Sequence, residues 1–254
     1  MLLVFDVGNN QTVAGVFEGT KLVAGWRLAT DKFKTPDEYG ILLKGFFADQ
    51  KLDPSRIKEA VISSSVPPVT GIFEKMVNQY FGVNALIVGP GVKTGLVIKY
   101  ENPREIGADV IVNSVAGLHL YGPPLIIIDF GTASAFCAIA QNGDYLGGII
   151  APGIGISSEA LFQRAAKLYR VELAKPKTVI GKNNIHSIQS GLIYGYIGLV
   201  EGLITRMKSE MNCNPKVIAT GELAELVAGE TKMIDLINPE LTLEGLRVIY
   251  ELNK

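Results

Sequence analysis

The chain has 254 residues, enough for one large domain or two modest ones, and its 48% hydrophobic against 19% charged residues imply a sizeable packed core and exclude a disordered polymer. A formal net charge of -1 excludes a broad electrostatic pull toward nucleic acid or an anionic membrane. An anionic ligand must therefore be held locally, by backbone N–H groups and a bound cation.

The segment from Met1 to Phe5 is apolar, but Asp6 interrupts it and no basic stretch precedes it, so it reads as a buried strand rather than a leader. The turn Asp6-Val7-Gly8-Asn9-Asn10 follows. Apolar residues return at Val13, from Gly15 to Phe17 and from Leu22 to Trp26, as in strands joined by short glycine turns. Thr35 to Phe47 has helical spacing, with Pro36, Asp37 and Glu38 in its first turn. Val61 to Val66 is a strand candidate closed by Pro67-Pro68, Ile72 to Phe81 a helix, and Ala85 to Val88 a strand. A long helix is predicted over Ala108 to Tyr121, and Gly122-Pro123-Pro124 ends it. The run Leu125 to Ile128 is too short for a membrane span and right for a central strand. Beyond it lie a strand at Tyr145 to Ile150, a loop and helix over Gly153 to Leu168, a long amphipathic helix at Ile188 to Met211, a short strand at Val217 to Ala219, and a final helix at Leu241 to Leu252. No run reaches membrane-spanning length. Cys137 and Cys213 give no disulfide framework, and His119 and His186 have no ligand-spaced partner, so the expected location is a reducing cytoplasm.

One unit occurs twice. Val4-Phe5-Asp6-Val7-Gly8-Asn9 parallels Ile127-Ile128-Asp129-Phe130-Gly131-Thr132, and each is followed by a second apolar stretch and a turn. The expected fold is α/β: two similar domains, residues 1–120 and 121–254, facing a cleft with one Asp turn from each. The final helix is a candidate to pack back on the first domain.

A strand that delivers a carboxylate into a glycine turn suits nucleotide phosphates. Glycine lets the backbone approach phosphate oxygens, and the Asp can hold a hydrated cation that bridges to them. A plain β-turn uses the same residues, but two copies after buried strands favour phosphate binding. The glycine patterns of P-loop and Rossmann sites are absent. Asp109, in Gly107-Ala108-Asp109, sits at a helix start. There it could take a proton from a substrate hydroxyl, or simply stabilise its helix. The Gly147-Gly148 to Pro152-Gly153 segment suits close approach to a ligand or to another backbone, and Thr220-Gly221, after a short strand, is a weak motif that could flank an adenosine.

Taken in order, Asp6-Val7-Gly8-Asn9, Gly107-Ala108-Asp109, Asp129-Phe130-Gly131-Thr132-Ala133, Gly147-Gly148 with Pro152-Gly153, and Thr220-Gly221 resemble the type III pantothenate kinase family over essentially the whole chain. The resemblance implies an actin-like, ribonuclease H-like fold. It also implies transfer of the ATP γ-phosphate to pantothenate, the first step toward coenzyme A, with Mg2+, a monovalent cation (K+ or NH4+) and a homodimer. Asp6, Val7, Gly8, Asn9, Asn10, Gln11, Thr12 and Val13 correspond to the ATP-phosphate loop, with Asp6 meeting Mg2+ through phosphate or water. Tyr100, Gly107, Ala108, Asp109, Val110 and Asn184 fall on pantothenate-binding positions, with Asp109 as general base. Asp129 corresponds to the monovalent-cation ligand and Thr132 to an ATP contact.

Four positions depart from the family pattern. Asn10 stands where Thr or Ser is usual, Val110 where Arg is usual, Asn184 where Thr is usual, and Glu222 where a second Gly is common. Val110 cannot replace a cation beside a carboxylate substrate, a pair worth about 1.5–3 kcal/mol. Two other readings follow: a divergent member that binds or regulates without efficient turnover, and a kinase for another small hydroxy acid.

Overall fold

The computed structural model describes residues 1–165 and 167–254. The chain divides into two compact units, Met1–Tyr121 with Glu240–Lys254, and Gly122–Pro239. The strands are β1 (Leu2–Val7), β2 (Gln11–Glu18), β3 (Lys21–Ala29), β4 (Glu59–Ser64), β5 (Ala85–Ile87), β6 (Leu125–Phe130), β7 (Ala133–Ile139), β8 (Tyr145–Pro152), β9 (Lys216–Thr220) and β10 (Leu236–Ile237). The helices are α1 (Pro36–Asp49), α2 (Pro67–Phe81), α3 (Ala108–Tyr121), α4 (Ile154–Arg164), α5 (Asn184–Met211), α6 (Ala224–Ala228) and α7 (Leu241–Asn253).

In the first unit the sheet order is β3-β2-β1-β4-β5, an antiparallel meander continued by two strands parallel to β1. The strand period of two divides β1 between two cores. Leu3, Phe5 and Val7 pack with Tyr39 and Leu43 of α1 and Phe73 and Met76 of α2. Leu2 and Val4 pack with Val112 and Val115 of α3 and Leu246 and Ile249 of α7. Helices α1 and α2 thus cover one face of the sheet, and α3 and α7 the other.

Local signals set the helix ends. Thr35 caps α1: its hydroxyl accepts from the Glu38 N–H, and the Glu38 carboxylate accepts from the Thr35 N–H at 2.7 Å. The Thr35 N–H, with the Thr35 hydroxyl donating at 3.0 Å, holds the Glu38 carboxyl below its ordinary range. Helix α2 begins at Pro67, not at Ile72. The two prolines read as a strand terminator occupy its first turn, where a missing N–H costs nothing.

The second unit repeats the first. Its order β10-β9-β6-β7-β8 is the same arrangement, with β6 in the place of β1. Burial along β1 and β6 is also the same: four buried residues, a half-buried Asp, then a buried apolar residue. Ile126 and Ile128 of β6 pack with Tyr196, Val200 and Ile204 of α5. Helix α5 starts at Asn184, capped by the Asn183 side chain, one turn before the apolar spacing begins. Of the sequence-predicted loop and helix over Gly153 to Leu168, helix α4 occupies Ile154–Arg164 and stops short of Leu168; Ala166 lies outside the described residues. Among the described residues no helix is long and apolar enough to cross a membrane.

Candidate active site

Asp6 occupies the last half of β1, in register with Val13 of β2 and Ser63 of β4. The turn after it is closed by the Gly8 N–H donating to the Gln11 carbonyl at 3.0 Å. Asn9, Asn10 and Gln11 are exposed, Val7 and Thr12 are buried, and Val13 is half-buried. The fully buried Ser63 hydroxyl, beside Asp6 in the sheet, has no hydrogen-bond partner within the protein. An orphaned hydroxyl next to a carboxylate at the carboxyl edge of a sheet fits a polar ligand or its hydration water.

Asp129 has the equivalent place in β6, in register with Ala135 of β7 and Thr220 of β9. Glycine backbones crowd around it. A Cβ on Gly221 would lie 2.6 Å from Asp129 Oδ1, and one on Gly131 would lie 3.8 Å from it. Gly221 has φ +94°, a conformation that suits glycine. Gly153, at the N-cap of α4, donates its N–H to the Thr132 carbonyl at 3.2 Å. A Cβ there would come within 2.4 Å of that oxygen. The glycine-rich segment therefore approaches another backbone, the Gly131-Thr132 turn. Thr132 itself is exposed.

Asp109 lies in the first turn of α3, half-buried, with Oδ1 accepting the Val110 N–H at 2.9 Å. The carboxylate thus holds the helix start, and a Cβ on Gly107 would meet Oδ1 at 2.3 Å. Ala108 and Val110 are half-buried, Gly107 and Tyr100 exposed. Asn184 is the exposed first residue of α5, and Glu222 is exposed beyond Gly221. No group of three or more His, Cys, Asp or Glu side chains gathers as a metal site among the described residues. A single Asp6 carboxylate suits Mg2+, which takes one or two carboxylates and completes its shell with phosphate and water.

A feature outside the sequence-predicted set lies beside the first turn. A cavity of about 400 Å³ is lined by Asn9, the loop Thr30 to Phe33, Val66 and Pro68. The loop is anchored at several points. The Thr30 N–H donates to the Asn10 carbonyl at 2.9 Å, and the Thr30 and Thr12 hydroxyls are 2.8 Å apart. The buried Tyr39 hydroxyl accepts from the Asp31 N–H at 2.8 Å, and Asp31 Oδ1 accepts from the Phe33 N–H at 2.9 Å. No motif in the sequence marks this loop.

The sequence profile of the type III pantothenate kinase family matches residues 2–206. Solved structures of low sequence identity share the fold along the whole chain. A protein from Campylobacter jejuni assigned to the Baf family of transcriptional activators is 14% identical, with a TM-score of 0.62, over 99% of this chain and 98% of that one. A protein from Sinorhizobium meliloti described as a 2-dehydro-3-deoxygalactonokinase is 11% identical, with a TM-score of 0.62, over 99% and 96%. A ROK hexokinase from Thermus thermophilus is 14% identical, with a TM-score of 0.50, over 100% and 99%. The fold is that of the actin-like sugar kinases.

Proposed function

Since the chain belongs to the type III pantothenate kinase family, we propose that it transfers the γ-phosphate of ATP to the primary hydroxyl of pantothenate. The observation that carries this reading is the carboxylate of Asp109, half-buried at the head of α3 in the unit that also bears the Asp6 turn. In the proposed reaction the acceptor oxygen forms a bond to the γ-phosphorus while the bond from that phosphorus to the β,γ-bridging oxygen breaks. The hydroxyl proton passes to Asp109, and ADP leaves. The Asp6-to-Val13 turn presents backbone N–H groups to the phosphates, and Asp6 holds hydrated Mg2+ against them. Thr132 contacts ATP, and Asp129 takes K+ or NH4+. The Mg2+ supplies neutralisation of phosphate charge. Tyr100, Gly107, Ala108, Val110 and Asn184 shape the acceptor site, and the working form is a cytoplasmic homodimer. The test is ADP release with pantothenate and a panel of hydroxy acids, each with and without K+. Turnover of pantothenate above all others is expected; turnover of none refutes the reading.

Val110 favours a second reading. An apolar side chain beside Asp109 leaves the acceptor carboxylate without the cation expected there. A weakly active or regulatory member would show ATP binding with little turnover in the same assay.

A further inference from the structure

We propose that Tyr196 of α5 is a positioning residue for the second Asp turn, holding Gly131 and Thr132 in place for the nucleotide by bracing both strands that flank them. The inference rests on the kinase reading above and deepens it: it names the side chain that sets the affinity of that turn for ATP.

Tyr196 stands in an apolar row. Ile193, Ile197, Val200 and Ile204 follow the helical spacing with it, and all of them pack in the core of the second unit. The others are aliphatic. A hydroxyl at this depth needs a partner, since an unmet one forfeits its hydration. It finds the hydroxyl of Ser134 in β7, which is fully buried, while Tyr196 itself is 7% exposed. Burial pushes the Tyr196 phenol above its ordinary range, and the Ser134 hydrogen bond offsets this only in part, so the pair is uncharged at neutral pH.

Ser134 is the cross-strand partner of Phe130, the residue directly after Asp129. The Phe130 and Tyr196 ring centroids lie 6.2 Å apart, with the rings inclined at 59°. One side chain therefore touches both legs of the hairpin. Its ring meets Phe130 at the end of β6, and its hydroxyl meets Ser134 near the start of β7. Only Gly131, Thr132 and Ala133 lie between those legs. A further bond, from the Gly153 N–H to the Thr132 carbonyl at 3.2 Å, ties the turn to the head of α4. The turn is thus fixed from two helices, by a backbone bond from α4 and by Tyr196 from α5.

The first Asp turn is held differently. Thr12 has the same place in its hairpin, opposite Val7, and its hydroxyl lies 2.8 Å from that of Thr30, just beyond β3. That turn takes its position from a neighbouring strand of its own sheet. The second takes its position from a helix, and changes in α5 therefore bear on it.

The pair can be taken apart one hydroxyl at a time. Tyr196→Phe keeps the ring on Phe130 and leaves the Ser134 hydroxyl buried and unmet. Ser134→Ala does the converse. The double variant leaves no orphan, so stability recovers while the link from α5 to the turn stays broken. That split separates a positioning role from a merely structural one.

The experiment measures ATP affinity by calorimetry, with Mg2+ and K+ and without acceptor, in the parent, Tyr196→Phe, Ser134→Ala and the double variant. Thermal unfolding and ADP release are followed alongside. Each variant is expected to bind ATP about tenfold more weakly, the upper range of one buried hydrogen bond. Melting temperature is expected to fall in the single variants and to return toward the parent's in the double. ATP affinity unchanged in Tyr196→Phe, or recovering with melting temperature in the double variant, overturns the proposal. If a single variant fails to fold, the double variant decides, and parental ATP affinity there overturns it. The kinase reading is judged separately. ATP binding that depends on Tyr196, with no acceptor phosphorylated, sustains the positioning role and sinks the kinase. Turnover with the parent's KM for ATP in Tyr196→Phe does the reverse, and a parent that binds no ATP sinks both.

Discussion

Asp129 Oδ1 fills the space that a side chain on Gly221 would need, 2.6 Å from where that Cβ would stand. The Phe130 amide nitrogen lies 2.7 Å from the same point, so the backbone of β6 has no room to yield. Gly221→Ala is expected to cost about 1–3 kcal/mol through the clash and the φ of +94°. It is also expected to tilt the Asp129 carboxylate. The measurement is thermal unfolding together with the K+ dependence of ADP release. An Ala variant that melts with the parent and keeps its K+ response would refute the tight seating of Asp129.

Asp109 lends itself to separating structure from chemistry. Asp109→Asn keeps an oxygen for the Val110 N–H but loses the base, so kcat is expected to fall on the order of 10²–10⁴-fold with little change in melting temperature. Asp109→Ala loses the hydrogen bond as well and is expected to cost about 1 kcal/mol more in stability. If Asp109→Asn retains full kcat, the base lies elsewhere.

Legibility from sequence followed the physics of each element. The span of α3 was readable to the residue because a polar start, an apolar face and Gly122-Pro123 all agree. Strands β1 and β6 were readable because both are buried on two faces. The end of helix α5 at Met211 was readable, but its start was placed a turn late because its first residues, Asn184 to Ser187, are mostly polar and carry no periodicity. The short α6 and β10 gave no pattern at all. The equivalent strand positions of Asp6 and Asp129 were legible from the repeated unit. The seating of Gly153 and Gly221 on the second turn arises from packing between distant segments, and the anchoring of the 30–33 loop on Tyr39 has the same origin.

Tyr250 of α7 sets a stability limit at high pH. Burial first, then its hydrogen bond to the Glu59 carboxylate, pushes its hydroxyl well above a phenol's ordinary range, up to about 12. The folded state thus favours the protonated phenol. This contribution is complete below pH 10 and is lost as pH rises toward 12. Melting temperature is expected to drop across that window in the parent and to drop less in Tyr250→Phe. Parallel pH profiles would remove Tyr250 from the account.

Gly191, Gly195 and Gly198 lie exposed along α5, and a Cβ on any of them would meet nothing within 4 Å. In an isolated helix each costs about 1 kcal/mol against alanine. The proposed homodimer, packed through this face, would account for their presence. Light scattering at micromolar concentration is expected to give a dimer, and Gly195→Arg a monomer with the parent's circular dichroism. A monomeric parent would end the dimer proposal.

Helix α7 has a consequence for how the protein is made. Residues 122–239 are translated between the strands of the first unit and the helix that covers one face of them. While the second unit is emerging from the ribosome, Leu2, Val4 and Val112 lack Leu246 and Ile249 as cover. The nascent chain therefore carries an apolar sheet face covered by α3 alone through nearly half its synthesis, a target for holdase chaperones until the last helix arrives. Premature termination anywhere before Leu241 would leave that face half covered for good, and such fragments belong to the aggregation-prone fraction rather than to a pool of half-active enzyme.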